Sequence, residues 1–487
     1  MAWMFTSTSA RNGIAYIVNI ILARVLVPSD FGAVALVVGV IAILQTFAEM
    51  GTSVALVQRQ NVTPSVIDSA FISTFTVTIL IVLLLWSFSN NIAAFFSVPV
   101  LAALLKIAAF SYLFRGVFSL YRCLLLKEMR YKEISLLEFI NVIIYGLIAV
   151  VLAFSGYGPF SIVWGQVFSA IFLLILGFWR TGYIPKSFGR IKEIWELLSF
   201  GIWVSIGRIL GNSSGKIDTF IIGKLLNAST LGSYYLAQRI VMLLPGTYTQ
   251  IIDQVTLPIY SKFQKDPSRV EEGYWKTISF TSLIILPLVC LLFIFADPLV
   301  RWILGEKWIQ VIPLVRIMSL FVLAHALGGG IFASVIYALG RPQIATIVNI
   351  FRIIALPTCV IIGSRWGVMG VAWGFAAYGI IGRLFNQWLL KRNFSFSLIR
   401  YFREIAPALI SGLLATGVAL GIFSVFGKDT IVIEIIKVIT GFIVWCITYY
   451  VFVKIFAPEK SKYALYIIFQ FIKKFRRLNL LRNITAS

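Results

Sequence analysis

Apolar stretches of about 20 residues, long enough to cross a hydrocarbon core of roughly 30 Å, follow one another with only short polar breaks. They predict spans near Trp3 to Leu26, Phe31 to Glu49, Ala70 to Phe88, Leu101 to Tyr121, Ile134 to Phe154, Pro159 to Trp179 and Leu197 to Leu226. A second group runs near Thr230 to Asp253, Tyr274 to Phe295, Ile312 to Leu339, Gln343 to Ile362, Gly367 to Leu389, Ile405 to Phe426 and Ile431 to Phe456. The expected fold is all-α, a polytopic membrane protein of about fourteen transmembrane helices. The first stretch lacks a basic leader and a small-residue cleavage site, so it reads as a retained span.

The polar breaks alternate in character. One set carries Arg122, Lys127, Arg130 and Lys132, then Arg180, Lys186, Arg190 and Lys192, then Lys262, Lys265, Arg269 and Lys276, then Lys391, Arg392, Arg400 and Arg403. Cation-rich loops stay in the cytoplasm, so this set and both termini are expected there, in the cell (inner) membrane. After Pro458, Tyr466, Ile467, Phe469 and Phe471 mix with Lys473, Lys474, Arg476 and Arg477, the composition of a helix lying on an anionic leaflet.

Composition agrees. Apolar residues make up 60% of the 487 and charged residues 13%, against roughly 25% charged in soluble domains. A water-soluble core is excluded. The formal charge of +23 is largely accounted for by the cytoplasmic loops, so no nucleic-acid partner is expected.

Two internal matches point to a repeat. At a shift of 200, Ile21, Arg24, Leu26, Ser29, Gly32 and Leu36 fall on Ile221, Lys224, Leu226, Ser229, Gly232 and Leu236; at a shift of 209, Gly158, Trp164 and Gly165 fall on Gly367, Trp373 and Gly374. The expected organisation is two six-helix lobes, 1–182 and 197–392, joined by a cytoplasmic linker, 183–196. Two additional helices follow at 393–456 and a basic amphipathic tail at 457–487.

Candidate chemistry follows from polar residues inside the spans, where a charge costs about 2.5–3.5 kcal/mol on insertion scales. Arg208, Asn212, Gly215 and Thr219 share a helical face, flanked by Lys216 and Asp218, and the 200-residue shift places Thr8, Asn12, Ala15 and Asn19 at the equivalent positions. Arg239, Gly246, Gln250 and Asp253 form a comparable face, and Arg11 and Arg352 lie deep in their spans. Arg208, Arg239, Lys216, Asn212, Asn12, Arg11 and Arg352 are therefore expected to contact substrate. Asp218 and Asp253 are the acids available to couple a sodium ion or proton, and no catalytic residue, metal or cofactor is expected. Arg316 and Arg383 sit near span ends and are expected to snorkel; Arg115 and Lys106 read either way. His325, beside Gly328, Gly329 and Gly330, suits helix packing or bending. The run Gly211 to Lys216 resembles a phosphate loop but is one residue short between its glycines and lacks the final Ser or Thr.

The stretches "LARVLVPSDFGAVALV" from Leu22, "GYGPFSIVWGQ" from Gly156, "DTFIIGKLLNASTLGSYYLAQRI" from Asp218 and "ADPLVRWILGEKW" from Ala296 resemble the polysaccharide-unit (Wzx-type) flippases of the multidrug, oligosaccharidyl-lipid and polysaccharide exporter superfamily. The resemblance implies fourteen helices in two six-helix lobes plus two, and a transporter that flips undecaprenyl-pyrophosphate-linked sugar units outward. Its partners would be the lipid-linked oligosaccharide, the bilayer, and a polysaccharide polymerase or other assembly proteins. A cation-coupled antiporter of the same superfamily and a membrane-embedded polymerase or ligase are the alternatives. The first would want intramembrane carboxylates and the second a large outer loop.

Overall fold

A computed structural model describes residues 2–49, 63–196, 215–425 and 431–459, together with Leu56 and Ser199. The described chain is helical, in the order α1 (Ala2–Val25), α2 (Pro28–Glu49), α3 (Pro64–Phe96), α4 (Val100–Lys127), α5 (Tyr131–Phe154), α6 (Phe160–Thr181), α7 (Ile217–Leu225), α8 (Ala228–Lys262) and α9 (Pro267–Leu299). A π-turn, Val300–Leu304, and a 3-10 turn, Glu306–Trp308, lead to α10 (Val311–Ala326), α11 (Gly329–Ala338), α12 (Gln343–Ser364), α13 (Gly367–Phe394), α14 (Leu398–Val425) and α15 (Ile431–Phe456). Among the described residues ten helices are long and apolar enough to cross a membrane. The protein is a multi-pass membrane protein. The expected spans within Leu197–Leu226 lie mostly outside the described residues, as does the tail after Pro458 beyond its first residue.

Two compact units form. The first contains Met1–Gln238, Val300–Leu314 and Asn349–Gly374; the second contains Arg239–Leu299, Val315–Val348 and Phe375–Ser487. In the first, α4 packs against α3, α6 and α2, and α5 packs against α6 and α1. Lipid-facing α3 leaves Leu80, Leu83 and Leu84 exposed, as an apolar solvent permits. In the second, α9 packs on α14 and α14 on α15. There Trp445 stacks on Tyr449 at 5.1 Å, whose hydroxyl donates to the Leu283 carbonyl at 3.0 Å.

The residues that match at the two shifts serve the same purposes. Gly158 (φ +53°) and Gly367 (φ +66°) both take the left-handed conformation that ends one turn and starts the next helix. Seven residues on, a Cβ on Gly165 would stand 2.9 Å from the Ala149 Cβ, and one on Gly374 would stand 2.3 Å from the Cys359 carbonyl oxygen. Both glycines let neighbouring helices touch. At the other shift the relation is reciprocal. A Cβ on Gly32 would stand 1.7 Å from the Ala228 carbonyl oxygen, and one on Gly232 would stand 1.8 Å from that of Pro28. Each glycine thus accepts the start of the other helix, 28 against 228.

The expected span Ile312 to Leu339 is broken into α10 and α11 at Gly328, whose φ of +134° no other residue adopts easily. The bend expected near His325 is present in the backbone. Arg383 is a correction: it does not snorkel but is buried at 7% exposure. Gly328 makes the room, since a Cβ there would stand 2.6 Å from the Arg383 Nη1.

Candidate functional site: an arginine-lined cavity

The helical period of α4 puts Tyr112, Arg115, Ser119 and Arg122 on one face. That face borders a cavity of about 330 Å³ in the first unit. Helix α1 adds Arg11, α2 adds Gln45, and α5 adds Glu138 and Asn141 one turn apart. Three guanidiniums and one carboxylate leave the cavity at net +2.

The charges are not evenly paired. Glu138 takes a charge-assisted hydrogen bond from Arg11 Nη1, and its other oxygen takes one from Arg122 Nε at 3.3 Å. Arg115 stands by Tyr145, and among the described residues no carboxylate pairs with it. At about 1.5 Å of rise per residue, Arg115 lies roughly 9 Å along α4 from Tyr121, the end of the expected span. The Oδ1 atom of Asn141 is buried with no hydrogen-bond partner. Tyr112 is already engaged, donating to the Leu44 carbonyl at 3.1 Å. A planar, always-charged donor fork without a carboxylate partner among the described residues, beside one unfilled amide oxygen, suits an anion such as a phosphate, with hydroxyl groups attached.

Of the residues expected from sequence, Arg11 lines this cavity. Asn12 is half-buried on the same helix. Asn19, farther along the stripe, spends its amide on the carbonyl of Ala15 at 2.5 Å. Arg208 and Asn212 lie outside the described residues, as does the side chain of Asp253. Arg239 is exposed on α8 and Arg352 half-buried on α12. Lys216 is half-buried at the start of α7 and acts electrostatically on Asp218. Sequence reading missed Glu138 and left Arg115 undecided. The stripe Arg115, Ser119, Arg122 was available at the same helical spacing that marked the seventh span.

Asp218 is fully engaged by the protein. One oxygen accepts from the Thr219 backbone N–H at 2.8 Å and the Thr219 hydroxyl at 3.4 Å. The other accepts from the Tyr234 hydroxyl at 3.0 Å and Gln238 Nε2 at 3.1 Å. These bonds tie α7 to α8.

A second cluster joins two of the sequence stretches singled out above. Arg24 Nε donates to the Ile303 carbonyl at 2.6 Å, and a second Arg24 nitrogen donates to that of Trp302. In return Lys307 Nζ donates to the carbonyls of Arg24 at 2.8 Å and Leu26 at 2.6 Å, and Trp308 Nε1 to that of Ala23 at 2.8 Å. Burial pushes the Lys307 ammonium below its ordinary range, and Asp30 partly offsets this. These bonds satisfy the open carbonyls at the end of α1, so Arg24 and Lys307 clamp the fold and are not free to take a ligand.

Residues 21–313 match a family model described as polysaccharide biosynthesis protein. The chain belongs to that family. Among its relatives, the lipopolysaccharide biosynthesis protein WzxC of Escherichia coli (strain K12) is 24% identical over 392 residues, covering 80% of this chain and 79% of the relative. The teichuronic acid biosynthesis protein TuaB of Bacillus subtilis (strain 168) is 27% identical over 387 residues, covering 77% and 79%. Among solved structures, the lipid II flippase MurJ in an inward closed conformation matches with a TM-score of 0.78 at 15% identity, over 94% of this chain and 99% of that one. At that identity the likeness is one of fold, so the chain has the fold seen in that flippase.

Proposed function

We propose that this protein flips lipid-linked oligosaccharide units from the cytoplasmic to the outer face of the cell membrane by alternating access, for surface polysaccharide assembly. It is a transporter and not an enzyme. The observation that carries the reading is Arg115, an intramembrane guanidinium that lines a cavity of net +2 without a carboxylate of its own. A prenyl diphosphate diester brings about two negative charges and matches that excess, while Gln45, Asn141 and Ser119 suit sugar hydroxyls. With the cytoplasm negative, outward movement of the anion is favoured by roughly 2.3 kcal/mol per charge per 100 mV.

In this reading the lobes 1–182 and 197–392 are the moving bodies, linked through cytoplasmic 183–196, with both termini cytoplasmic and a polymerase as the downstream partner. Arg11 shares the cavity with Arg115; Lys216, Asn12, Asn212, Arg208, Arg239 and Arg352 are proposed as further substrate contacts from the sequence pattern alone. The cation-coupled antiporter fits less well, because the carboxylate of Asp218 already accepts four protein hydrogen bonds. The test is complementation of a flippase-deficient strain, with membrane protein level measured beside glycan export. Arg115→Ala should lower export at least about tenfold at a normal protein level. Full export would refute the cavity's role and return the assignment to Arg208 and Arg239.

A further inference from the structure

The cavity contains its own anion. Glu138 holds two of the three guanidiniums, Arg11 and Arg122, through its two oxygens, and leaves Arg115 alone. A diphosphate has two phosphate groups. One can sit on Arg115 with nothing displaced, and the second reaches Arg11 or Arg122 in competition with Glu138 for that guanidinium's charge. From this juxtaposition we infer that Glu138 is an exchangeable counter-ion: incoming diphosphate displaces it from Arg11 or Arg122, and its return displaces the diphosphate on release. The inference rests on the proposed function and adds to it the residue that sets how tightly the head group is held.

The chemistry requires some such device. A carrier that pairs three arginines with a dianion, with nothing to compete, would hold its cargo too firmly to let it go, because uniform tight binding adds nothing to turnover. A carboxylate on the same guanidiniums weakens the bound state and keeps the empty cavity from standing at +3. Glu138 is suited to move, since it is half-buried and its partners come from two other helices, α1 and α4. Asn141, one turn away with a free Oδ1, lies where a sugar hydroxyl next to the phosphate would arrive.

A purely structural Glu138, one that merely holds Arg11 and Arg122 in place, makes the opposite prediction, so the sign of one change decides. Purified wild type, Glu138→Gln and Glu138→Asp are reconstituted in nanodiscs. Binding and dissociation of a short prenyl-diphosphate-linked N-acetylglucosamine are then measured, with dioleoylphosphatidylglycerol as a monoanionic competitor. The expected order of affinity is Gln, then Asp, then wild type, with Glu138→Gln at least about tenfold tighter and its dissociation slower to match. Because the interaction scales with ligand charge, the factor gained by the diphosphate should be about the square of that gained by phosphatidylglycerol. Export in cells should fall in Glu138→Gln despite the tighter binding. Unchanged or weaker binding in Glu138→Gln, or in Glu138→Asp should the first variant fail to fold, overturns the counter-ion role alone. Failure of the wild type to bind the diphosphate probe overturns the transport reading itself.

Discussion

Two intramembrane arginines of this chain, Arg115 in the first unit and Arg383 in the second, look alike in sequence and have opposite surroundings. Arg115 borders an open cavity with two other guanidiniums. Arg383 is packed into an aromatic nest beside Tyr274 and Tyr401, with its Nε and Nη1 atoms buried and without a hydrogen-bond partner. Gln387 Nε2 donates to the Tyr274 hydroxyl and Tyr401 donates to the Leu327 carbonyl at 3.3 Å. The nest is completed by Trp275 and Phe396, whose rings lie 5.9 Å apart. A charge within a span is therefore not by itself a ligand site. What distinguishes the two is whether open space faces the guanidinium: Arg115 borders a cavity, whereas Arg383 is packed in at 7% exposure.

The sharpest way to break this comparison is to remove each charge in turn. Arg115→Ala should lower export at least about tenfold to a hundredfold, the equivalent of losing a charge-assisted bond of about 1.5–3 kcal/mol, while thermal stability holds or rises because no packing is lost into the cavity. Arg383→Ala should do the reverse, lowering the melting temperature by several degrees through an emptied core site, with export per folded molecule little changed. Arg383→Met, which fills the volume without the charge, should recover most of that stability. Export and detergent melting curves on all three variants check both halves. If Arg383→Ala stops export at full stability, the distinction fails.

A smaller effect separates anchor from ion site at Asp218. Asp218→Asn keeps the shape but gives one of the four donors around it an NH2 group to face, so stability should drop by about 1–3 kcal/mol. Export by the molecules that remain folded should keep its dependence on sodium and pH. Loss of that dependence would make Asp218 the coupling group. Smaller still is Tyr183→Phe. Tyr183 donates to Asp68 Oδ1 at 2.7 Å, and its hydroxyl is pushed above its ordinary range by burial and by the Asp68 carboxylate. Its removal should cost about 1 kcal/mol and leave export at neutral pH unaltered, since the phenol stays protonated there; a melting curve would show it.

Much of the fold was legible because the bilayer demands long apolar helices and glycines stand where helices touch. Gly32 and Gly232, and Gly165 with Gly374, were found by number alone and prove to fill matching positions. The site was legible only in part. Arg11 was visible as a deep charge, but Arg115 and Arg383 carry the same signal in sequence and differ only by the neighbours that folding brings, Glu138 from α5 in one case and Gly328 in the other. Glu138 went unread because a single acid in an apolar run says nothing of which cations it will meet. The break of the tenth span at Gly328 was hinted by three glycines in a row, yet its use, making room for a buried arginine, depends on a contact with α13.

The central claim is that the arginine cavity of the first unit receives the diphosphate, and photolabelling tests it most directly. A prenyl diphosphate carrying a photoreactive sugar, activated in inverted membrane vesicles and followed by peptide mapping, should label α1, α4 and α5 around Arg11, Arg115 and Asn141. Labelling should fall when Arg115 is replaced by Ala. Labelling confined to α9 and α13 around Tyr274 and Arg383, with α4 unmarked, would contradict the account.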